Sequence, residues 1–381
     1  MKIIHIINSL RKGGAEGNLY RLCKYHKKKY KNKVNITIIT LIADGNYVSK
    51  LKKVGVNIFS LKMSQKIKFF DFIRKILQLR KLIKKINPDV IQSWMYHSNF
   101  ITLFLPRIFY ARLFWNVRHS ELSSKISKNT TILLSIICGI LSQIVPKKII
   151  YCSLKSIEFH KKKHFYSKKK TVLIDNGYDE NTYFPSSHHR LNFRKKNKIK
   201  KLDIILGYAG RYAKQKNIPT LLYSFSKIIK VHHDVYLFMA GNGINKKNKM
   251  LSKLIYDYNI EDRVILLDQQ KNLLNFYNGI DLLVLISHSE SFSNVLAESM
   301  LCSTPVLSSD SGCSKKIINS YGFVINKNTH LSVVNGLKKS IDIIKKDKKK
   351  WNFLKENTRI QIKNNFSIEK MAFEYLKIWT N

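Results

Sequence analysis

The chain has 381 residues and 44% hydrophobic content, too long for one ordinary domain and apolar enough for two cores, so two α/β domains of similar size are expected. Its 69 Lys plus Arg against 24 Asp plus Glu give a formal net charge of +45, which suits a polyanion or an anionic membrane surface as partner. Much of the excess is lysine accompanied by Ile and Asn, as low-GC coding would produce. No basic helix carries base-reading polar residues, so nucleic acid is not an expected partner.

The run Lys2 to Ile7 reads as a first buried strand and not a signal peptide, because His5 and Asn8 interrupt the apolar stretch and Arg11 ends it. The glycine pair Gly13-Gly14 follows, then a helix from about Ala15 into the basic run Lys27 to Lys33. Strands are expected at Asn35 to Leu41 and Val56 to Leu61. Phe69 to Ile86 (FFDFIRKILQLRKLIKKI) is apolar at helical spacing with Arg and Lys opposite. It reads as a helix packed on a sheet, with a membrane-surface helix as the alternative. Asn87-Pro88-Asp89 stops it, and Val90 to Trp94 gives the next strand. Aromatic and basic residues cluster from Phe100 to Trp115, where Pro106, Arg107 and Arg112 preclude a bilayer crossing. The strand Phe114 to Val117 delivers Arg118, His119 and Ser120 to its carboxyl end, a natural place for a ligand-facing imidazole.

Ile132 to Val145, the longest candidate span, falls well short of the ~20 residues a crossing needs, so no transmembrane helix is expected. The five cysteines are odd in number and form no C-x-x-C pair, which argues against a disulfide framework or a zinc site and fits a reducing cytoplasm. Strands at Lys148 to Cys152 and Thr171 to Ile174 bracket a basic helix, Ser156 to His164. After Asp175-Asn176-Gly177 and Pro185, the polar passage Ser186 to Lys201 lacks apolar periodicity and is expected to link the domains. The expected division is 1–185, linker 186–201, second domain 202–366 and a terminal helix 367–381.

In the second half, strands are expected at Leu202 to Tyr208, Val235 to Met239, Val264 to Leu267, 282–286 and 304–308, in a parallel sheet. Ala209-Gly210-Arg211 and then Lys216 follow the first of these, ahead of a helix from Pro219. Arg211 and Lys216, five apart around a strand-to-helix loop, suit a diphosphate: one offers a bidentate guanidinium, the other a point charge. The stretch Leu285 to Asp310 (LISHSESFSNVLAESMLCSTPVLSSD) leaves a strand, crosses a polar loop and enters a helix whose free N–H groups face an anion. Glu290 and Glu298, the only glutamates between Asp281 and Asp310, flank that junction. Gly13 and Gly14 let backbone approach a phosphate closely, although they are not the G-x-G-x-x-G pattern. Four strand-end features are thus expected to face one cleft.

These motifs resemble a known family nearly end to end. "NSLRKGGAEGNLYRL" is similar to its GGAE loop, and "INPDVIQSW" and "WNVRHSEL" to strands of its first domain. "YCSLKSIEFH…TVLIDNGYDENTYFP" resembles the close of that domain, "LGYAGRYAKQKNIPTLL" the Arg…Lys phosphate segment, "GIDLLVLISHSESFSNVLAESM" the paired-glutamate signature, and "FSIEKMAFEYLKIW" the terminal helix crossing back. The family is that of the retaining, GT-B fold glycosyltransferases of family 4, which use nucleotide-diphosphate sugars.

The resemblance implies two Rossmann-like domains with parallel sheets facing a central cleft. It implies that Glu290 contacts the donor sugar near the reacting carbon, that Glu298 takes the ribose hydroxyls, and that Arg211 and Lys216 neutralise the leaving diphosphate. The backbone N–H groups of Phe292, Ser293 and Asn294 would bind donor sugar or phosphate. Gly14, with Gly13, would approach the diphosphate, and His119 would touch the sugar. Base contacts are expected near Gly241 to Gly243 and Leu267 to Gln270. No Asp-x-Asp occurs, so no metal cofactor is expected. Departures from the pattern are Ser291, Ser293, Ser299, Ser303 and Lys316. The expected activity is transfer to a lipid-linked or polysaccharide acceptor at the inner membrane face. The alternatives are a non-catalytic sugar-nucleotide or polyanion-binding protein of this fold and a nucleotide-sugar epimerase.

Overall fold

The computed structural model describes residues 1–42, 45–64, 68–105, 111–122 and 127–380. Pro106 and Arg107 of the aromatic and basic cluster lie outside them. The chain divides into two units, Met1–Gly177 with the residues from Ile368 on, and Tyr178–Ser367.

In chain order the first unit runs β1 (Lys2–Ile7), α1 (Gly14–Tyr30), β2 (Asn35–Thr40), α2 (Val48–Lys53), β3 (Asn57–Ser60), α3 (Phe69–Ile86), β4 (Val90–Trp94), α4 (Tyr96–Thr102), β5 (Arg112–Val117), α5 (Asn129–Leu141), β6 (Lys148–Tyr151), α6 (Leu154–His164) and β7 (Thr171–Leu173). Strands β1, β2, β4, β5 and β6 are buried along most of their length, as strands covered on both faces are, and the strands pair in parallel in the order β3-β2-β1-β4-β5-β6-β7. On one face α1 packs through Leu19, Leu22 and Cys23. On the other, α3 buries Ile76, Leu79 and Ile83, one stripe of its helical period, and leaves Phe69, Phe70 and Leu77 exposed. Asn87 ends α3 in the left-handed conformation that a short polar side chain tolerates (φ 48°).

The second unit runs α7 (Ser187–Lys196), β8 (Ile204–Ala209), α8 (Ile218–Ile229), β9 (Val235–Ala240), α9 (Lys249–Asp257), β10 (Val264–Leu266), α10 (Leu274–Gly279), β11 (Leu282–Leu285), α11 (Asn294–Leu301), β12 (Val306–Ser309), α12 (Ser314–Ile318), β13 (Phe323–Ile325), α13 (His330–Lys346) and α14 (Lys348–Asn365). Its parallel sheet has the order β10-β9-β8-β11-β12-β13. The last helix, α15 (Ile368–Thr380), belongs to the first unit, where Met371, Tyr375 and Trp379 join the α1 face of the core. Trp379 Nε1 donates to Gln92 Oε1 at 3.2 Å, and His26 Nε2 donates to the Ala372 carbonyl at 3.1 Å.

The expected linker is not a linker. Ser186 caps α7 by accepting from His189 N–H, and α7 is fastened to the second unit. Asp281 accepts from Arg190 Nη2 at 2.6 Å and Arg194 Nη1 at 3.4 Å, while Phe193 fills the space over Gly279, where a Cβ would lie 2.1 Å from its ring. One aromatic ring and two arginines do the anchoring, so no apolar period marks the helix. The division accordingly falls at Gly177/Tyr178 and Ser367/Ile368. All five cysteines are free and buried, and among the described residues no helix is long and apolar enough to cross a membrane.

Candidate active site

In the second unit the chain order reverses between β8 and β11, since β9 lies beyond one and β12 beyond the other. Loops leaving the carboxyl ends of two such strands diverge to opposite faces and open a crevice between them. The β8 loop carries Arg211 and Lys216, and the β11 loop carries Glu290. The two loops are tied together where His288 N–H donates to the Gln215 carbonyl at 2.8 Å. Lys216 Nζ then meets Glu290 Oε1 at 2.5 Å, with side-chain exposures of 13% and 10%.

Two further groups shape this corner. Tyr208, buried in β8, donates its hydroxyl to the Arg211 carbonyl at 3.2 Å. Its phenol is pushed up by burial first and by the Glu290 charge second, so it remains a donor. Gly312, after β12, has φ +57°, and a Cβ there would sit 2.0 Å from the Glu290 carbonyl oxygen. Only glycine combines that backbone with that approach.

The β11 loop ends in α11, whose N-cap Ser293 makes no side-chain capping bond. The first-turn N–H groups therefore lack a side-chain acceptor from the cap. Phe292 and Ser293 are buried, so neither offers its side chain to solvent. The Phe292 ring packs edge-on to Phe366 at 5.6 Å, and Asn294 Oδ1 accepts from Tyr178 Oη. One turn further, Glu298 Oε2 accepts from Tyr277 Oη at 3.0 Å. Tyr277 is wholly buried, and burial followed by the Glu298 charge raises its phenol well above the ordinary value. Lys316 lies exposed on α12 with Nζ 5.9 Å from the centre of the Phe366 ring. Gly241, after β9, has φ +152°, and a Cβ there would strike the Gly210 carbonyl oxygen at 1.9 Å.

In the first unit, Gly13 is the N-cap of α1 and Gly14 its first residue. A Cβ on Gly13 would lie 2.2 Å from Glu16 Oε2, so this glycine makes room for the helix's own carboxylate. Burial holds that carboxyl above its ordinary range. Of the trio after β5, His119 alone is exposed. Its carbonyl accepts from Ser156 Oγ, and its ring lies 5.6 Å from Tyr96. Arg118 is buried and structural: it donates to Asn116 Oδ1 at 2.7 Å and Tyr375 Oη at 2.5 Å, over the Trp94 ring.

Lys216 and Glu290 are thus brought together, and Glu298 stands one helical turn into α11. Sequence reasoning missed Tyr277 and Tyr208, whose aromatic side chains in apolar surroundings look like ordinary core. It also passed over Gly312, although the Asp310-x-Gly312 turn marked the place.

Residues 189–361 match the model of the family Glycosyl transferases group 1. The matched residues lie within the second unit and make up a little under half of the chain. Over 217 residues, 57% of each chain, it is 25% identical to the O-antigen biosynthesis glycosyltransferase WclY of Escherichia coli. Over 170 residues, 44% of this chain and 45% of the other, it is 28% identical to the N-acetylgalactosamine-N,N'-diacetylbacillosaminyl-diphospho-undecaprenol 4-alpha-N-acetylgalactosaminyltransferase of Campylobacter jejuni. The chain spans about half the length of these curated relatives. The crystal structure of Anabaena Alr3699/HepE in complex with UDP and glucose matches over 100% of both chains with a TM-score of 0.85 at 18% identity, and the fold is GT-B.

Proposed function

We propose that the protein is a retaining, metal-independent glycosyltransferase. It moves a sugar from a nucleotide-diphosphate sugar to a lipid-linked or polysaccharide acceptor, in synthesis of a cell-surface glycan of lipopolysaccharide, O-antigen or capsule type. The observation that carries this reading is the Lys216–Glu290 pair at the switch point of the unit that matches the group 1 model.

Glycosyl transfer builds negative charge on the departing diphosphate and oxocarbenium-like charge at the sugar carbon. Lys216 and Arg211 stabilise the first, together with the N–H groups of Phe292, Ser293 and Asn294 at the α11 N-terminus. Glu290 contacts the sugar hydroxyls beside the reacting carbon, and Glu298, held by Tyr277, takes the ribose. The roles of Gly13 and Gly14 toward the diphosphate and of His119 toward the sugar rest on the family resemblance. The acceptor attacks from the face the diphosphate leaves, with a diphosphate oxygen as base.

The Escherichia coli relative is named for O-antigen synthesis and the Campylobacter jejuni relative for a diphospho-undecaprenol substrate, which supports the acceptor class. The net charge of +45 supports a cytoplasmic protein held peripherally at an anionic inner membrane face. The test is nucleotide release from UDP-, GDP- and ADP-sugars, with and without membrane extract, by wild type and Glu290→Ala. Release that depends on Glu290 is expected. A wild type that binds donor yet releases no nucleotide under any combination sinks the enzyme reading and leaves a binding protein.

A further inference from the structure

Between α6 and β7 the chain reads Lys161-Lys-Lys-His-Phe165-Tyr-Ser-Lys-Lys-Lys170, two lysine triplets around one aromatic tip. Phe165 ends α6 with φ 60° and ψ 26°, and is the only aromatic among the described non-glycine residues with positive φ. A bulky side chain in that region is an outlier that local sequence preference does not explain. Its ring is 58% exposed, although Tyr166 beside it is buried. Lys161, Phe165, Lys168, Lys169 and Lys170 line one open concavity with Gln143, whose Nε2 donates to the Phe165 carbonyl at 3.1 Å. Among the described residues lining it, none is acidic.

The element beside the concavity is apolar outward. Leu133 and Ile140 on α5, and Ile144 in the turn after it, are exposed at 58%, 54% and 61%. The first lysine triplet also complements the C-terminal dipole of α6. That accounts neither for the second triplet nor for the exposed ring.

We propose that this concavity is a docking surface for an anionic phospholipid bilayer. Lipid phosphates sit among Lys161, Lys168 and Lys169, while the Phe165 ring and the Ile140 and Ile144 flank enter the acyl boundary. Cationic side chains around an aromatic and aliphatic tip are the chemistry a charged lipid interface selects, since lysine takes the phosphate and the ring lies below it. A soluble polyanion would satisfy the lysines and leave the apolar tip in water. This deepens the membrane-facing part of the function proposed above.

The test is co-sedimentation of the full chain with phosphatidylcholine vesicles with and without phosphatidylglycerol. Wild type is expected to bind the anionic vesicles far more tightly than the neutral ones. The Lys161/Lys168/Lys169→Ala triple should lose about fivefold in partitioning per lysine. Phe165→Ser, which leaves the net charge unchanged, should lose severalfold at fixed lipid composition. The Lys348/Lys349/Lys350→Ala triple at the start of α14 changes the net charge equally and should stay within twofold of wild type.

An equal loss in that control overturns the proposal in favour of diffuse attraction. Loss on Phe70→Ser in α3 with none on Phe165→Ser assigns docking to α3 and overturns it too. So does binding of inorganic phosphate without binding of anionic vesicles. Nucleotide affinity and circular dichroism are followed in every variant. Vesicle indifference with donor turnover intact sinks the docking surface alone, and docking without any donor binding sinks the enzyme reading alone.

Discussion

Lys216 and Glu290 form an ion pair at 2.5 Å, and under the function proposed above the diphosphate of a donor competes with the carboxylate for the same ammonium. Replacing either residue therefore moves nucleotide binding in opposite directions. Lys216→Ala removes a charge-assisted contact and should weaken binding of a nucleoside diphosphate by roughly 10–100-fold. Glu290→Ala releases the lysine and should leave that affinity equal or tighter, while nucleotide release from the donor sugar falls about 10²–10³-fold, the usual cost of removing a transition-state contact. Calorimetric titration with UDP or GDP beside the turnover assay separates the two, and a parallel loss of affinity in both variants would refute the competition. Tyr277 acts through Glu298. Tyr277→Phe deletes one hydrogen bond of 3.0 Å without emptying the core, at a cost of ~1 kcal/mol in stability. Donor KM should rise about fivefold with kcat little changed, and an unchanged KM would make Tyr277 a packing residue only. The two glutamates were legible in the sequence because carboxylates are scarce here and both fall at a strand-to-helix junction. Tyr277 was not, because a tyrosine 21 residues before its partner announces nothing until the fold brings them together.

At the scale of elements, α15 makes its contacts through a buried aromatic cluster that contains two imidazoles. His5, in the interior strand β1, accepts from Trp94 Nε1 at 3.2 Å and lies 5.6 Å from the Trp379 ring; His26 on α1 lies 5.4 Å from that same ring. Burial, and for His5 the neighbouring His26, lowers these imidazoles to about 3 and about 4 respectively. The unfolded chain takes up protons near pH 6.5, whereas the folded unit keeps both rings neutral until pH 3–4. Their contribution to stability is complete above pH 6.5 and declines as pH falls toward 4, by up to ~1.4 kcal/mol per pH unit for each ring. Urea midpoints measured between pH 7 and 5 should fall, and His26→Gln should flatten the slope; an unchanged slope in that variant would show that His26 takes no part. The elements legible beforehand were those with an unbroken pattern: β1, α3 and β4 were read with their observed limits. The helix α7 was not, since arginines bonded to Asp281 replace the apolar stripe that sequence reading looks for. Nor was α4, whose first turn follows Met95 at φ 72°, a residue that carries no turn signal in its identity.

For the whole molecule, length alone indicated two α/β domains, and the alternation of strands and helices indicated parallel sheets. The boundary moved to Gly177 because the polar stretch taken for a tether folds against the second unit. The net charge of +45 remained ambiguous in the sequence between coding bias and a working surface, since lysine frequency does not say where the lysines sit. Ionic strength separates the two contributions to the membrane binding proposed above. Diffuse attraction between a cationic chain and anionic lipid is screened as the Debye length contracts from about 10 Å at 0.1 M salt to about 3 Å at 1 M. Insertion of exposed apolar side chains such as Phe165, Ile140 and Ile144 depends on buried area and persists at high salt. Partitioning onto anionic vesicles should therefore fall steeply up to a few tenths molar salt and then level off above zero, and Phe165→Ser should lower the plateau more than the initial fall. A curve that decays to nothing, with Phe165→Ser superimposed on wild type, would reduce the membrane interaction to net charge alone.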